Sequence, residues 1–225
     1  MKIAIHQKSF LPYPGWFAKV QYSDVFLDLG GYQFSPNEMY HRTYMSTDKY
    51  LTIPVTKEKD TQIDNIKVRV DDLPKFADQI LTYLRSYKGS ERYKEVSKIF
   101  NEPIQNLKDK KYKTLTEVID SFNKPVLVYL GLDSRIDSNV NFNSNLSKTE
   151  LLADLLKQKA QQGTYVSGGG ARVYLDTNLL EQNGFKTEFQ SRVNPDSWGC
   201  SIVHYLFTYD KDEILMKLKE DFSFE

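Results

Sequence analysis

Two segments that lie far apart in the chain carry the side chains best suited to chemistry. In the first, His6 and Gln7 follow the apolar run of residues 2–5 and precede a loop rich in proline and glycine. An imidazole at the end of a strand can act as a general base near neutral pH. In the second, three glycines at 168–170 precede Arg172, and successive backbone N–H groups with a guanidinium suit an anion. We predict that the two segments meet at one site.

Asp28 is the predicted partner of His6. It ends the apolar run of residues 25–27 and would emerge beside His6 if the two strands were parallel neighbours. The carboxylate would then orient the imidazole. Each feature also has a plain structural reading, because a histidine can be satisfied within a fold and a glycine run can form a tight turn. The sequence leaves both readings open.

The other histidines and the cysteine give weaker signals. His41 stands beside Arg42, which can supply a second cation to a phosphate or form a surface salt bridge. His204 lies in an apolar run, where a structural role fits better. The single cysteine, Cys200, excludes an intramolecular disulfide and has no basic neighbour that would activate it. A metal requires further ligands at defined spacing, so we expect no metal, and the sequence leaves the cofactor open.

Aromatic residues make up 13% of the 225 residues, with 15 tyrosines and 13 phenylalanines. Tyrosine-rich clefts suit sugars and nucleobases, although tyrosines also cover half-buried surfaces. The cluster at residues 12–17 includes Tyr13 and Trp16. Its rings can stack on a base or a sugar, or they can pin the loop to the core.

The charge balance restricts the partners. Lysine and arginine number 30, as do aspartate and glutamate, so no overall field attracts nucleic acid or a membrane surface, and an anion site must be local. Extensive nucleic-acid contact is not expected. The chain has no run of about 18 apolar residues and no apolar segment typical of a signal peptide. We therefore expect a single-domain, cytoplasmic protein without membrane insertion, of unknown oligomeric state.

The elements that must position these residues form an α/β pattern. Apolar runs predict strands at residues 2–5, 25–28, 51–55, 63–70, 126–131, 165–167 and 185–190. Periodicity and capping residues predict helices at 16–22, 72–89, 90–100, 114–123, 147–163, 176–184 and 210–218, with 201–209 open. Pro125 should end the 114–123 helix. These elements predict a mainly parallel, Rossmann-like sheet with flanking helices and a helical insert at about 72–124.

Several short motifs occur in a fixed order along the chain. They occupy residues 3–7, 10–19, 23–28, 41–43, 51–55, 167–175, 183–185, 201–203 and 206–207. In this order they resemble the WbqC-like protein family over nearly the whole chain. The resemblance implies an enzyme encoded among genes for O-antigen and other surface glycans, with transfer of an amino acid such as glycine to an amino sugar.

Three positions depart from the family pattern. Lys8 stands where proline is usual, Leu29 with residues 30–31 replaces a second acidic residue, and His204 stands where aspartate is common. If the second acidic residue or the late aspartate of the family takes part in the reaction, the activity of this chain would be altered or absent.

We therefore predict acyl or aminoacyl transfer to an amino sugar or a nucleotide-linked sugar. A non-catalytic nucleotide- or glycan-binding protein and an enzyme acting on a nucleobase are the alternatives. His6 would accept a proton from the attacking amine, Asp28 would orient His6, and the glycines with Arg172 would hold phosphate. The substrate-binding residues expected beside these two catalytic ones are Gln7, Tyr13, Trp16, His41, Arg42, Ser167, Gly168, Gly169, Gly170, Arg172 and Tyr174.

Overall fold

The protein is built around a six-stranded sheet. The computed structural model describes residues 1–46, 49–56, 61–143, 145–146, 148–194 and 200–225. The strands are β1 (Lys2–Gln7), β2 (Val25–Leu29), β3 (Arg42–Ser46), β4 (Lys49–Thr52), β5 (Ile136–Asp137), β6 (Gly163–Gly168), β7 (Phe185–Arg192) and β8 (Phe222–Phe224). The sheet has the order β5-β2-β1-β6-β7-β8 and is parallel apart from the antiparallel pair β7 and β8. β3 and β4 form a separate antiparallel hairpin.

Helices cover both faces of the sheet, and the predicted α/β fold with a mainly parallel, Rossmann-like sheet is confirmed. The helices are α1 (Pro14–Tyr22), α2 (Leu73–Arg85), α3 (Tyr93–Ile99), α4 (Asn101–Lys108), α5 (Leu115–Leu130), α6 (Lys148–Lys157), α7 (Thr177–Gln182), α8 (Ile202–Thr208) and α9 (Lys211–Glu220).

The alternation of side chains along β1 divides the core into two layers. Ala4 faces the larger cluster, which contains buried residues of α1, α2 and α5, whereas Ile3 and Ile5 face the cluster formed with α6 and α7. All three residues are buried. Burial of each isoleucine side chain stabilises the fold by roughly 1.5–3 kcal/mol. Because a shift of one residue would exchange the two faces, this packing fixes the register of β1.

The helix α5 corrects the prediction of a strand at 126–131. It begins at the predicted capping box of Thr114 and Glu117, continues through Pro125 and ends at Gly131, which adopts a left-handed φ of 71°. Val118, Phe122 and Val126 follow at helical spacing and are fully buried. Packing of this apolar stripe outweighs the loss of one backbone hydrogen bond at proline.

Three further predictions were wrong or displaced. Two short 3₁₀ turns, Ile63–Asn65 and Val70–Asp72, replace the strand expected at 63–70, and between them Lys67 and Val68 form isolated antiparallel bridges. The strand expected at 51–55 lies at Lys49–Thr52, and its partner β3 was not predicted. Gly163 begins β6 instead of capping α6, and a Cβ atom there would lie 2.5 Å from the carbonyl oxygen of Met1. Ser147, the predicted cap of α6, lies outside the described residues.

The local capping signals near the C-terminal end of the chain are confirmed. The carboxylate of Asp176 accepts a hydrogen bond from the backbone N–H of Leu179 and begins α7. Asp210 and Glu213 form the capping box of α9, and residues 202–208 are helical. Among the helices of the described residues, none has the length and apolar character required to cross a membrane.

Candidate functional site

A cavity of about 480 Å³ opens at the carboxyl ends of β1 and β6. The two strands pair as far as Ala4 and Val166. β2, the strand that follows β1, pairs with the edge of β1 away from β6. β7, the strand that follows β6, pairs with the edge of β6 away from β1. The strand order therefore reverses between β1 and β6. In open α/β sheets, ligands bind in the crevice at such a switch point. This cavity is the candidate functional site.

The structure brings both predicted segments to the cavity. His6 and Gln7 line it from β1, and Ser167 and Gly168 line it from β6. Gly170 and Tyr174 line it from the turn that follows β6. The histidine-bearing segment and the glycine segment therefore border one shared hollow.

Other residues expected at the site lie outside the lining of this cavity. Trp16 is fully buried and packs edge-to-face on Phe26, so its ring belongs to the core. Tyr13 is half-buried and lies against Gly15. Gly169 packs on β7, where a Cβ atom would lie 2.7 Å from the carbonyl oxygen of Gln190.

The predicted cations are also placed elsewhere. The guanidinium of Arg172 lies 4.4 Å from the ring centroid of Phe189, and Arg172 is exposed outside the cavity lining. Arg42 donates to the backbone carbonyl of Asn37. His41 is buried and lines a different cavity of about 460 Å³. The phosphate-binding role assigned to Arg172 therefore has no geometric support at the switch point.

Sequence reasoning missed Lys19 and also missed Tyr32, Tyr165 and Lys148, all of which line the cavity. Lys19 lies on α1, and only 2% of it is exposed. Burial lowers the pKa of its amine to about 7, because water no longer solvates the ammonium form. Among the described residues, no carboxylate forms an ion pair with this amine to offset that loss. A neutral amine is therefore populated near physiological pH.

One sequence signal pointed to Lys19. It stands between Ala18 and Val20 in the helix predicted directly after the first strand. A lysine with apolar neighbours on both sides at the edge of a parallel sheet has few ways to reach bulk water. Such a lysine is a candidate for a perturbed pKa.

His6 is neutral at physiological pH. Burial, and then the positive charge of Lys19, lower its pKa to about 3. Its Nδ1 atom lies 2.7 Å from the carbonyl oxygen of Gln7. This contact places the proton on Nδ1 and leaves Nε2 as a hydrogen-bond acceptor. His6 is thus a weak base suited to accepting a hydrogen bond, and Lys19 has the pKa of an efficient general base.

The predicted pair of Asp28 and His6 is replaced by an ion pair between Asp28 and Lys8. His6 and Asp28 are neighbours in the register of β1 and β2. However, the amine of Lys8 donates to Asp28 at 3.3 Å and to Asp120 at 2.5 Å. Burial raises the pKa of Asp28 to about 6, although Lys8 opposes the shift. Asp28 therefore has a structural partner of its own.

Hydroxyl groups supply further contacts in the cavity. Burial raises the pKa of Tyr165 to about 12 and also raises the pKa of Tyr32, so both phenols stay protonated. The hydroxyl of Ser167 donates to the phenol oxygen of Tyr165 at 3.4 Å. Hydroxyl groups beside aromatic rings suit the alternating polar and apolar surface of a sugar. In the part of the chain that the structure describes, no cluster of three or more potential ligands could hold a metal ion.

Comparisons with known proteins identify the family of the chain. The model of the WbqC-like protein family matches residues 7–205. The chain is 25% identical over 191 residues to the uncharacterized protein Rv1507c of Mycobacterium tuberculosis (strain ATCC 25618 / H37Rv), with 80% of this chain and 78% of that protein covered. No solved structure matches the chain. Because the family model covers most of the sequence, the chain belongs to the WbqC-like protein family.

Proposed function

We propose that this protein is a sugar-modifying enzyme of surface-polysaccharide (O-antigen) biosynthesis. It transfers an acyl or aminoacyl group, for example glycyl, to an amino sugar or a nucleotide-linked sugar. The observation that carries the proposal is the buried amine of Lys19, which lines the cavity at the switch point. Family membership supports the substrate class through the resemblance described above, and the hydroxyl-rich wall suits a sugar.

Lys19 is the general base of the proposed reaction. The lone pair of the acceptor amine attacks the carbonyl carbon of the donor, and a new C–N bond forms. The neutral Lys19 amine takes the proton that the attacking nitrogen loses, and the donor's leaving group departs with its bonding electrons. A base with a pKa near 7 suits this step, because it is both available and sufficiently basic at neutral pH.

His6 has a positioning role in this scheme. Its ring is stacked on Phe26 with an interplanar angle of 16°, which restricts the direction of Nε2. That atom accepts a hydrogen bond from the acceptor amine and aligns the nitrogen for attack. Tyr165 and Ser167 then bind hydroxyl groups of the sugar. Positioning of this kind lowers the entropic part of the barrier.

The experiment begins with a thermal-shift screen of nucleotide sugars, amino sugars and aminoacyl donors, since a ligand that binds the native state raises the melting temperature. Transfer between the ligands found is then measured by mass spectrometry. We expect Lys19→Met to reduce kcat by about 100-fold or more. The same change at the exposed Lys94 is the matched control.

Ligand binding provides the second measurement. Lys19→Met should retain ligand binding, because hydroxyl and ring contacts remain. Full turnover by the Lys19→Met variant would refute the role of Lys19 as the general base. Ligand binding by wild type without turnover for any donor would favour a non-catalytic binding protein.

A further inference from the structure

The cavity that contains His41 is separate from the cavity at the switch point of β1 and β6, the switch-point cavity. Its volume is about 460 Å³, and none of its described lining residues also lines the switch-point cavity. Its walls come from residues 34–41, from residues 52–55 at the end of β4, and from residues 69–79, which include the first half of α2. Ligand cavities have volumes of about 300–1,000 Å³. The proposed transfer reaction leaves this cavity without a role.

The imidazole of His41 lacks a hydrogen bond in this cavity. Only 7% of His41 is exposed, and its Nδ1 atom is buried without a hydrogen-bond partner among the described residues. The ring of Phe34 lies edge-to-face with the imidazole at a centroid distance of 5.3 Å, which supplies no oxygen or nitrogen partner. Buried polar groups are costly to leave unpaired. The missing partner is therefore expected from a molecule bound in the cavity.

A hydroxyl group suits this position. Burial, and then the positive charge of Arg42, lower the pKa of His41 to about 4, so the imidazole is neutral near neutral pH. One ring nitrogen of a neutral imidazole donates a hydrogen bond and the other accepts one. A hydroxyl group can pair with either nitrogen, whereas an ammonium group can only donate and a carboxylate can only accept.

Apolar side chains line the cavity together with His41. Phe34, Ile53 and Phe76 are buried and line it from three different segments. Walls of aromatic and aliphatic side chains around a few polar groups favour a flat apolar ring. An aromatic ring that carries a hydroxyl group meets both requirements.

The charged side chains of the cavity lining have one positive charge in excess. Arg69 and Lys75 line the cavity and are exposed, and Asp72 is the carboxylate of the described lining. Asp72 pairs with Arg69 at 3.2 Å, whereas Lys75 forms no ion pair with a described residue. An anionic group on the ligand would balance the charge of Lys75.

We propose that this cavity binds a small aromatic carboxylate that carries a hydroxyl group. The hydroxyl group forms a hydrogen bond with His41, and the ring packs against Phe34 and Phe76. The carboxylate binds Lys75 and the guanidinium of Arg69. This binding site does not depend on the proposed transfer reaction.

Titration calorimetry on the whole chain tests the site with para-hydroxybenzoate as the probe. Benzoate lacks the hydroxyl group, and para-hydroxybenzyl alcohol lacks the carboxylate. We expect wild type to bind para-hydroxybenzoate and to bind benzoate about fivefold or more weakly. The affinity for para-hydroxybenzyl alcohol should be lower by about tenfold or more.

Four variants locate the ligand. His41→Phe retains an aromatic ring but removes the hydrogen bond, so it should weaken para-hydroxybenzoate about fivefold and change benzoate by less than about twofold. Lys75→Gln should weaken both carboxylates about fivefold. Lys88→Gln, which removes an exposed lysine outside the cavity lining, should change neither. Gly168→Leu, which fills the switch-point cavity, should bind both carboxylates as wild type does.

Several results would overturn the site. These are no binding of para-hydroxybenzoate by wild type, equal affinities of wild type for para-hydroxybenzoate and benzoate, equal losses of the two carboxylates in His41→Phe, or lost binding in Gly168→Leu. Absence of binding would leave a water molecule as the partner of His41. Because none of these measurements involves turnover, they are independent of the transfer assay, and failure of the proposed reaction would leave the site intact.

Discussion

The amine of Lys19 lies 4.0 Å from the point at which a Cβ atom on Gly168 would stand. Gly168 has a φ of −73°, which any residue adopts, so the backbone does not require glycine there. The missing side chain instead keeps the amine open to the cavity. The end of β6 and helix α1, which are distant in sequence, thus define the access to the amine of Lys19.

Gly168→Leu should therefore remove function without unfolding the protein. The added side chain occupies the space over Lys19 and blocks the acceptor amine. We expect at least a tenfold loss of ligand affinity and turnover, with the free energy of unfolding changed by about 1 kcal/mol or less. Calorimetry and urea unfolding provide the two measurements. Wild-type turnover in this variant would show that the reacting group lies elsewhere.

The next two glycines should respond differently to alanine. A Cβ atom on Gly169 would lie 2.7 Å from the backbone oxygen of Gln190, whereas a Cβ atom on Gly170 would meet nothing within 4 Å. Gly169→Ala should therefore cost about 2 kcal/mol of unfolding free energy. Gly170→Ala should change it by less than about 1 kcal/mol. Urea unfolding of both variants tests this, and equal losses would contradict the packing described for β6 and β7.

Lys19→Met should stabilise the protein at neutral pH. The unfolded chain holds the lysine proton up to about pH 10.5, whereas in the folded protein burial lowers the pKa to about 7. The unfolded state binds more protons between these values, so the stability of wild type rises by up to about 1.4 kcal/mol per pH unit. The advantage of Lys19→Met should therefore be largest at or below pH 7 and should shrink as the pH approaches 10.5.

Urea unfolding at about pH 7 and about pH 9.5 measures the effect. Lys94→Met, which removes an exposed amine from α3, is the control and should give the same difference at both pH values. If the Lys19→Met variant is less stable than wild type at neutral pH, the ammonium of Lys19 has a stabilising partner in the folded protein.

Substitutions of Lys8 and Asp28 should have strongly coupled effects on the free energy of unfolding, because the two residues form an ion pair. Lys8→Met leaves a buried carboxylate without its cation, which costs about 3 kcal/mol at neutral pH. Asp28 already has a pKa raised to about 6, and loss of Lys8 raises it further. The cost should therefore shrink as the pH falls toward 6, because Asp28 takes up a proton in the folded variant at a higher pH than in folded wild type.

Adding Asp28→Asn to Lys8→Met should recover much of the loss, because no buried charge remains. A double-mutant cycle by urea unfolding at two pH values measures this coupling. Additive effects of the two changes would contradict a direct ion pair. Asp120, which also accepts from Lys8, is about half exposed and contributes less.

Local signals predicted much of this fold, and non-local contacts account for the errors. The capping boxes at Thr114 and Asp210 depend on residues three apart, and both are found. Pro125 was expected to end a helix, but the apolar face of α5 is fixed by the tertiary core. The C-terminal β8 is defined by its pairing with β7 and carries no strong signal of its own.

The same contrast between local signals and non-local contacts applies to the candidate site. The order of apolar runs predicted that residues near His6 and Gly168 would meet, because strand ends share one edge of a parallel sheet. The partners of single side chains were not predictable. Arg172 lies against Phe189, and Asp28 pairs with Lys8. Both contacts join residues that approach each other only in the folded chain.

The pH dependence of turnover gives a direct test of which group is the base. Lys19 accepts a proton only in its neutral form, so kcat/KM, calculated on the concentration of neutral acceptor amine, should rise about tenfold per pH unit below 7 and level off above it. The pKa of His6, which burial lowers to about 3, lies well below this range. His6→Ala should therefore reduce kcat and leave the midpoint near 7. If His6→Ala moves the midpoint while Lys19→Arg retains the wild-type profile, the titrating base is His6 and the assignment of Lys19 is wrong.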